Sequence, residues 1–152
     1  MKKTRWRWIR PAQYIHRALY AIGFGPILGR IILLLTTTGR KSGKRRVTPV
    51  QYEEIDGILY IGSARGPKAD WVRNITADPC VEVQVKNKRF HARGELITDP
   101  LRVADYLQTR LERHPRMVGA MMKIHHLPPA PSRLQLEELG KSLVVVAIKP
   151  EA

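Results

Sequence analysis

Val81-Glu82-Val83-Gln84-Val85-Lys86-Asn87-Lys88-Arg89, running on to Ile97, decides the fold class of this 152-residue chain. Valines at 81, 83 and 85 alternate with Glu82, Gln84 and Lys86, the period-2 pattern of a strand with one apolar and one wet face. Asn87-Lys88 turns the chain, and Arg89 to Ile97 returns beside it. A hairpin with one solvated face belongs to an antiparallel sheet, because parallel sheets are covered on both sides.

The neighbouring segments extend the same pattern. Asp56-Gly57, between Ile55 and Ile58, supplies the positive φ angles of a second tight turn, with Gly57 to Ser63 as the returning strand. The apolar run Ile31 to Thr38 reads as an earlier strand. Arg46 to Glu53 is extended, with Pro49 at an edge, a bulge or a ligand-facing position. Leu143 to Ile148 closes the set. Helices are fewer. Tyr14, Ala18, Leu19 and Ile22 have helical spacing until Gly23-Phe24-Gly25-Pro26, and Ala69 to Ala77 makes a short helix. Thr98-Asp99-Pro100 caps another that turns Leu101, Ala104, Leu107 and Leu111 inward as far as His114-Pro115. Met117 to Ile124 adds a turn or two, and residues 125–133, with three prolines, form an exposed loop. The expected class is mainly β (α+β): a single domain over residues 1–152, six antiparallel strands curled into a barrel with a few flanking helices. No glycine-rich dinucleotide fingerprint is present, which argues against a Rossmann enzyme.

The formal charge is +14, from 27 Lys and Arg against 13 Asp and Glu. That balance favours a polyanionic partner: nucleic acid, anionic lipid or a highly charged cofactor. The basic N-terminal segment, residues 1–30, interleaves Trp6, Trp8, Tyr14 and Tyr20 with Lys2, Arg5, Arg7 and Arg17. Such a segment suits a membrane interface, or a helix laid over the barrel with its basic face in water. Its apolar runs are broken by Arg10, Pro11, Arg17 and Pro26 and stay short of the ~20 residues that span a bilayer, and no signal peptide is expected. The single cysteine, Cys80, forbids an internal disulfide and reads as a small buried residue at a strand start.

Two segments carry chemistry. Thr36-Thr37-Thr38-Gly39-Arg40-Lys41-Ser42-Gly43-Lys44-Arg45-Arg46-Val47-Thr48-Pro49 places a glycine-punctuated, cation-loaded turn at a strand end, suited to a large anion. It lacks the spacing of a phosphate-binding P-loop. Ser63-Ala64-Arg65-Gly66-Pro67-Lys68, followed by Trp71 and Asn74, ends a strand, turns, and starts a helix whose N-terminus, with Arg65 and Lys68, makes a second anion site. Trp71 and Asn74 share a helical face. His114, His125 and His126 lack metal-ligand partners, so no metal is expected. Ser63 has no evident base nearby. Met117, Met121 and Met122 read as adaptable core or as a loose apolar pocket. Two cationic cradles without acid–base machinery suit passive anion binding or chemistry borrowed from a cofactor.

The run Leu33-Leu34-Leu35-Thr36-Thr37-Thr38-Gly39-Arg40-Lys41-Ser42-Gly43, then Arg46 and Thr48-Pro49, resembles the deazaflavin-dependent nitroreductase family. So does the later Ser63…Gly66-x-Lys68…Trp71-x-x-Asn74 with Asp78-Pro79. The likeness covers about residues 20 to 110. It implies a split β-barrel that binds coenzyme F420, a deazaflavin with a phosphate and an oligoglutamate tail. Hydride would pass from the reduced coenzyme to a small electrophile: a quinone, a nitro compound or an activated double bond. Carried over by position, Arg40, Lys41, Ser42, Gly43 and Arg46 would hold the phosphate and acidic tail. Thr48, Pro49 and Val50 would lie beside the ring, and Ser63, Gly66, Lys68, Trp71 and Asn74 would form the other wall. The proton would follow from solvent or from a pocket hydroxyl, Tyr52 or Ser63.

Two departures stand out. The second motif is contracted, and the substrate-pocket tyrosines of nitroreducing members are replaced here by Met117, Ala120, Met121 and Lys123. The alternatives are an FMN-binding split-barrel oxidoreductase and a non-catalytic binder of nucleic acid or anionic membrane. Scattered aromatics argue against specific nucleic-acid recognition. A homodimer and a cytoplasmic location, with the N-terminus at the inner face of the cell membrane as a variant, complete the expectations.

Overall fold

The structure, a computed structural model, describes residues 32–151. The expected helix through Tyr14 and the basic segment 1–30 lie outside the described residues. Strands β1 (Ile32–Thr38) and β2 (Arg45–Gln51) pair antiparallel from Ile32 opposite Gln51 to Thr38 opposite Arg45. A short β3 (Glu53–Ile55) pairs with β4 (Ile58–Ser63) across a turn in which Asp56 (φ 52°) and Gly57 (φ 80°) both take positive φ. That is the geometry expected of Asp-Gly in a two-residue hairpin. β5 (Cys80–Val85) and β6 (Lys88–Ile97) form the hairpin read from the valine alternation. Its turn is Lys86-Asn87, one residue earlier than expected, with Lys86 at φ 54°. β7 is Val144–Pro150.

The sheet therefore has seven strands rather than six, in the order β2-β1-β5-β6-β7-β4-β3. The extended stretch read as one strand from Arg46 to Glu53 is two, β2 and β3, separated by Tyr52 alone. They occupy the two opposite edges of the sheet. Six inter-strand gaps laid flat would separate those edges by roughly 29 Å, whereas Gln51 and Glu53, two residues apart in the chain, lie at most about 7 Å from each other. The sheet must curl until its edges meet, and β2 comes into contact with β4. The split barrel follows from this single covalent constraint.

β7 explains why its sequence shows no alternation. Val144, Val146 and Ile148 point into the barrel, against Leu33, Leu35, Ile61 and Val83. Val145 and Ala147 point outward under a helical layer. From Val144 to Ile148 both faces are buried, so every position there is apolar. The helices are α1 (Asp70–Ala77), α2 (Pro100–Arg113), α3 (Pro115–Ile124) and α4 (Arg133–Gly140). α1 sends Val72 and Ile75 into the barrel core. α2, α3 and α4 cover the outer face of β7 with Val103, Leu107, Val118, Met122 and Leu136.

Asp99 caps α2 by accepting from the Leu101 amide at 3.0 Å. Pro100 opens the helix, and the buried face is then Val103, Ala104, Tyr106, Leu107 and Arg110. Leu101, expected inward, lies on the opposite side of the helix from Val103 and is 54% exposed. Cys80, expected buried, is exposed: Val81 and Val83 face inward, so strand alternation turns Cys80 to the wet face shared with Glu82 and Gln84. α4 follows the proline-rich loop and starts at Arg133, the last residue assigned to that loop. Its capping box has Ser132 Oγ accepting from the Gln135 amide at 3.3 Å and Gln135 Oε1 accepting from the Ser132 amide at 2.8 Å.

Candidate functional site

The loop between β1 and β2 is held from within. The Gly39 amide donates to the Lys44 carbonyl and the Gly43 amide to the Gly39 carbonyl, each at 2.7 Å. The Lys44 amide donates to Ser42 Oγ at 3.2 Å. Gly43 takes φ 68°, and a Cβ on Gly39 would sit 2.7 Å from Ser42 Oγ. These glycine amides brace the turn rather than face a ligand. The positive charge that faces the adjoining cavity comes from the side chains of Arg40, Lys41, Arg45 and Arg46.

Asn74, buried on α1, ties that loop to the second motif. Its Oδ1 accepts from the Arg40 amide at 3.2 Å and from Arg40 Nη1 at 3.0 Å, and its Nδ2 donates to Thr37 Oγ1 at 3.2 Å. Asp70, in the first turn of α1, pairs with Arg40 Nη2 at 3.2 Å. The helix start thus carries its own carboxylate. The loop and α1 enclose a common cavity of about 550 Å³. Of the two cations expected to make a second cradle, Arg65 lines a different cavity and Lys68 lines neither. The walls of the common cavity include Arg40, Lys41, Ser42, Arg45, Arg46, Thr48, Trp71 and Asn74. Glu82 partly balances the set, accepting from Arg45 at 2.8 Å.

Trp71 separates this cavity from a second one of about 280 Å³, of different character. Val50, Ala69, Leu107, Met121, Met122 and Val145 make its walls largely apolar, while Gln51, Ser63, Tyr106 and Arg110 bring polar atoms to it. The Tyr106 ring is packed by Tyr60, with centroids 6.3 Å apart, and by the Arg110 guanidinium, 5.9 Å from its centroid. The Tyr106 hydroxyl and Arg110 Nε are buried with no hydrogen-bonding partner among the described residues. Burial raises the Tyr106 phenol above its ordinary value, against the opposing charge of Arg110. Behind it, Glu53 is a buried carboxylate held by Arg113 at 2.7 Å and His114 at 3.1 Å, with Arg110 Nε at 3.7 Å.

The structure brings most of the sequence-selected residues to these two spaces. Arg40, Lys41, Ser42, Arg46, Thr48, Trp71 and Asn74 line the first cavity; Val50, Ser63 and Trp71 line the second. Gly43, Pro49, Gly66, Lys68 and Tyr52 line neither. Gly66 (φ 57°) packs its α-carbon side against the Ser142 carbonyl. Ser63 Oγ donates to the Gly66 carbonyl at 2.9 Å, which closes the turn after β4. Tyr52 is buried in the barrel core. Its phenol is raised by burial first and then by the charges of Glu54 and Glu53. Sequence reasoning placed Arg45 in the cationic turn and missed Asp70, Tyr106 and Arg110. Tyr106 and Arg110 do share a helix face at i, i+4 spacing, a signal that was present. Among the described residues no cluster of three metal-ligating groups occurs and no helix is long and apolar enough to cross a membrane.

Comparison with known proteins gives a consistent picture. F420H(2)-dependent quinone reductases of Mycobacterium tuberculosis are 38% identical over 87 residues, covering 50% of this chain and 56% of the relative. The match thus spans about half the length of these relatives. Among solved structures, an F420-H2 dependent reductase superposes with a TM-score of 0.54 at 22% identity, covering 79% of this chain and 95% of the other. A second, described as an F420 reductase, gives 0.51 at 20% identity over 81% and 88%. These two likenesses establish the split-barrel fold. The model of the F420H(2)-dependent quinone reductase family matches residues 8–124, well over half of the sequence, and the chain belongs to that family.

Proposed function

We propose that this protein is an F420H2-dependent quinone reductase in which the two cavities divide coenzyme from acceptor. The observation that carries the reading is their shared wall: Trp71 stands between a space lined by four cations and a largely apolar one. The coenzyme has matching halves, a polyanionic tail and a flat ring. Arginine pairs bidentately with phosphate and carboxylate, so Arg40, Arg45 and Arg46 suit the tail, with Lys41 and Ser42 as further donors. Thr48, Val50 and Trp71 would flank the ring. When bound, reduced coenzyme F420 supplies a hydride, and a quinone gaining that hydride and one proton leaves as the quinol.

The chain's own contribution is orientation, exclusion of water and fixed charge. Asn74 acts at one remove, by holding Arg40 and the loop in place. Ser63 spends its proton on the Gly66 carbonyl, so at the second cavity it offers an acceptor. Tyr52, inside the barrel core, supports the wall from behind.

Titration of the purified protein with F420, its reduced form and FMN tests the assignment. The expected result is tight binding of the deazaflavin, weak binding of FMN, and multiple turnover of menadione with the reduced deazaflavin. Arg40→Ala combined with Arg46→Ala is expected to weaken the deazaflavin by about 100-fold or more, given the worth of charged hydrogen bonds. FMN binding without deazaflavin binding would overturn it. Homodimerisation and contact of the N-terminal segment with an anionic membrane belong to the same proposal. Light scattering and vesicle sedimentation check them.

A further inference from the structure

The second cavity carries charge of one sign. Arg65, Arg110 and His125 stand in its wall, and among the described residues no carboxylate does. Arg110 is already balanced, with Glu53 3.7 Å from its Nε. Arg65 is not: its exposed side chain makes no hydrogen bond or ion pair among the described residues. The first cavity differs, because Arg40 pairs there with Asp70 and Arg45 with Glu82. The backbone of Arg65 is nevertheless fixed at the cavity rim. Its carbonyl accepts from the Lys68 amide at 3.2 Å, and the Ser63 hydroxyl donates to the Gly66 carbonyl at 2.9 Å. Gly66, at φ 57°, packs against the Ser142 carbonyl so closely that no Cβ would fit. His125 reaches the same cavity from the end of α3, where its amide and that of Leu127 both donate to the Met122 carbonyl at 3.0 Å. Its half-buried ring makes no hydrogen bond among the described residues.

We propose that the second cavity selects acceptors bearing one acidic group, with Arg65 as the residue that determines this specificity and His125 as a second donor at the rim. This rests on the reading of that cavity as the acceptor site. Leu107, Met121, Met122 and Val145 enclose the apolar body of the molecule, and a volume of about 280 Å³ keeps that body compact. A carboxylate or sulfonate on it meets the rim, where a guanidinium pairs with it through two parallel hydrogen bonds. An imidazole offers a further N–H donor. Neutral acceptors still enter, because the apolar walls act on both kinds alike. Selectivity is the difference that the charge adds. Since Arg65 is exposed, water screens the pair and keeps that difference modest.

2-Naphthoate and 2-naphthamide share one ring system and differ in charge. Their binding to the parent protein and to Arg65→Ala is measured by calorimetry at low ionic strength, first alone and then with saturating oxidised F420. The side chain removed is exposed and unpartnered, so the melting temperature should not change. The parent is expected to favour 2-naphthoate about fivefold, with or without F420, as one charged pair at a solvated rim allows. Arg65→Ala should bring the two Kd values together and leave those for 2-naphthamide and F420 unchanged. Raised salt should shrink the preference of the parent. Equal Kd values in the parent, or a preference that survives Arg65→Ala, overturn the proposal. So does a preference that vanishes once F420 is bound, which would place the anion in the coenzyme cavity. An F420 Kd raised by Arg65→Ala overturns it as well, since Arg65 would then serve the coenzyme. Failure of the parent to bind F420, with the Arg65-dependent preference intact, would instead overturn the assigned coenzyme and leave the anion site standing. Failure of 2-naphthoate to inhibit menadione reduction would overturn the acceptor reading of that cavity in the same way.

Discussion

Asn74 holds Arg40 twice, through the backbone amide at 3.2 Å and the guanidinium at 3.0 Å, while its own amide donates to Thr37 at 3.2 Å. One buried carboxamide thereby joins the last turn of β1, the cationic loop and α1. Asn74→Ala strands the Thr37 hydroxyl and the Arg40 amide, both in or near the core. The expected loss is about 2 kcal/mol of stability, read from the urea midpoint at constant slope. Coenzyme affinity should fall about tenfold as the loop loosens. Loss of affinity with unchanged stability would mean that Asn74 contacts the ligand directly instead.

Asp70 works against the same arginine. Its side chain is 79% exposed, so its ion pair with Arg40 adds little to stability. It does hold the guanidinium away from any incoming anion. Asp70→Asn should leave stability within about 0.5 kcal/mol and tighten binding of the polyanionic coenzyme about two- to threefold, with a steeper dependence on salt. Coenzyme titrations at two ionic strengths check this, and weaker binding in the variant would show that the pair positions Arg40 productively.

The hairpins, β1, β7 and the short α1 were legible because each has a local cause: alternation, an Asp-Gly turn, an unbroken apolar run. The seventh strand was not. Nothing at Tyr52 punctuates the chain, and the break exists only because β2 and β3 join different edges of a curled sheet. Cys80 was misread although the valine alternation beside it already placed it on the wet face. α4 was readable from Ser132-x-x-Gln135 but lay hidden behind prolines. At the site, the cations and Trp71 could be seen in one stretch of sequence each. The buried placement of Arg110 could not, since it depends on Glu53, a residue far away along the chain.

Tyr106 links the second cavity to alkaline stability. Its folded pKa is raised above the ordinary 10.0 by burial. Above pH 10.0 the unfolded chain loses the phenol proton first, so the folded state binds more protons and stability falls as pH rises. Below that value the slope vanishes. Each such phenol contributes up to about 1.4 kcal/mol per pH unit. Tyr106→Phe should therefore flatten the decline of the urea midpoint between pH 10 and 11 by that order, leaving only the share of Tyr52, which is raised in the same direction. An unchanged decline would mean that the phenol is hydrated in solution.

Glu53 balances the buried end of Arg110 while Arg113 and His114 close over it at 2.7 and 3.1 Å. Glu53→Gln keeps the shape and one acceptor oxygen but removes the negative charge, leaving a cation that is 4% exposed without a counter-ion. Breaking one side of a buried pair costs about 3–5 kcal/mol. Here Arg113 is 44% exposed and can turn to water, so the loss should fall near the low end. Glu53→Gln together with Arg110→Met should recover much of it, because the double variant buries no unbalanced charge. Urea unfolding of the parent, the two single variants Glu53→Gln and Arg110→Met, and the double variant completes the cycle. Additive losses would show that Arg110 is neutralised by something other than Glu53.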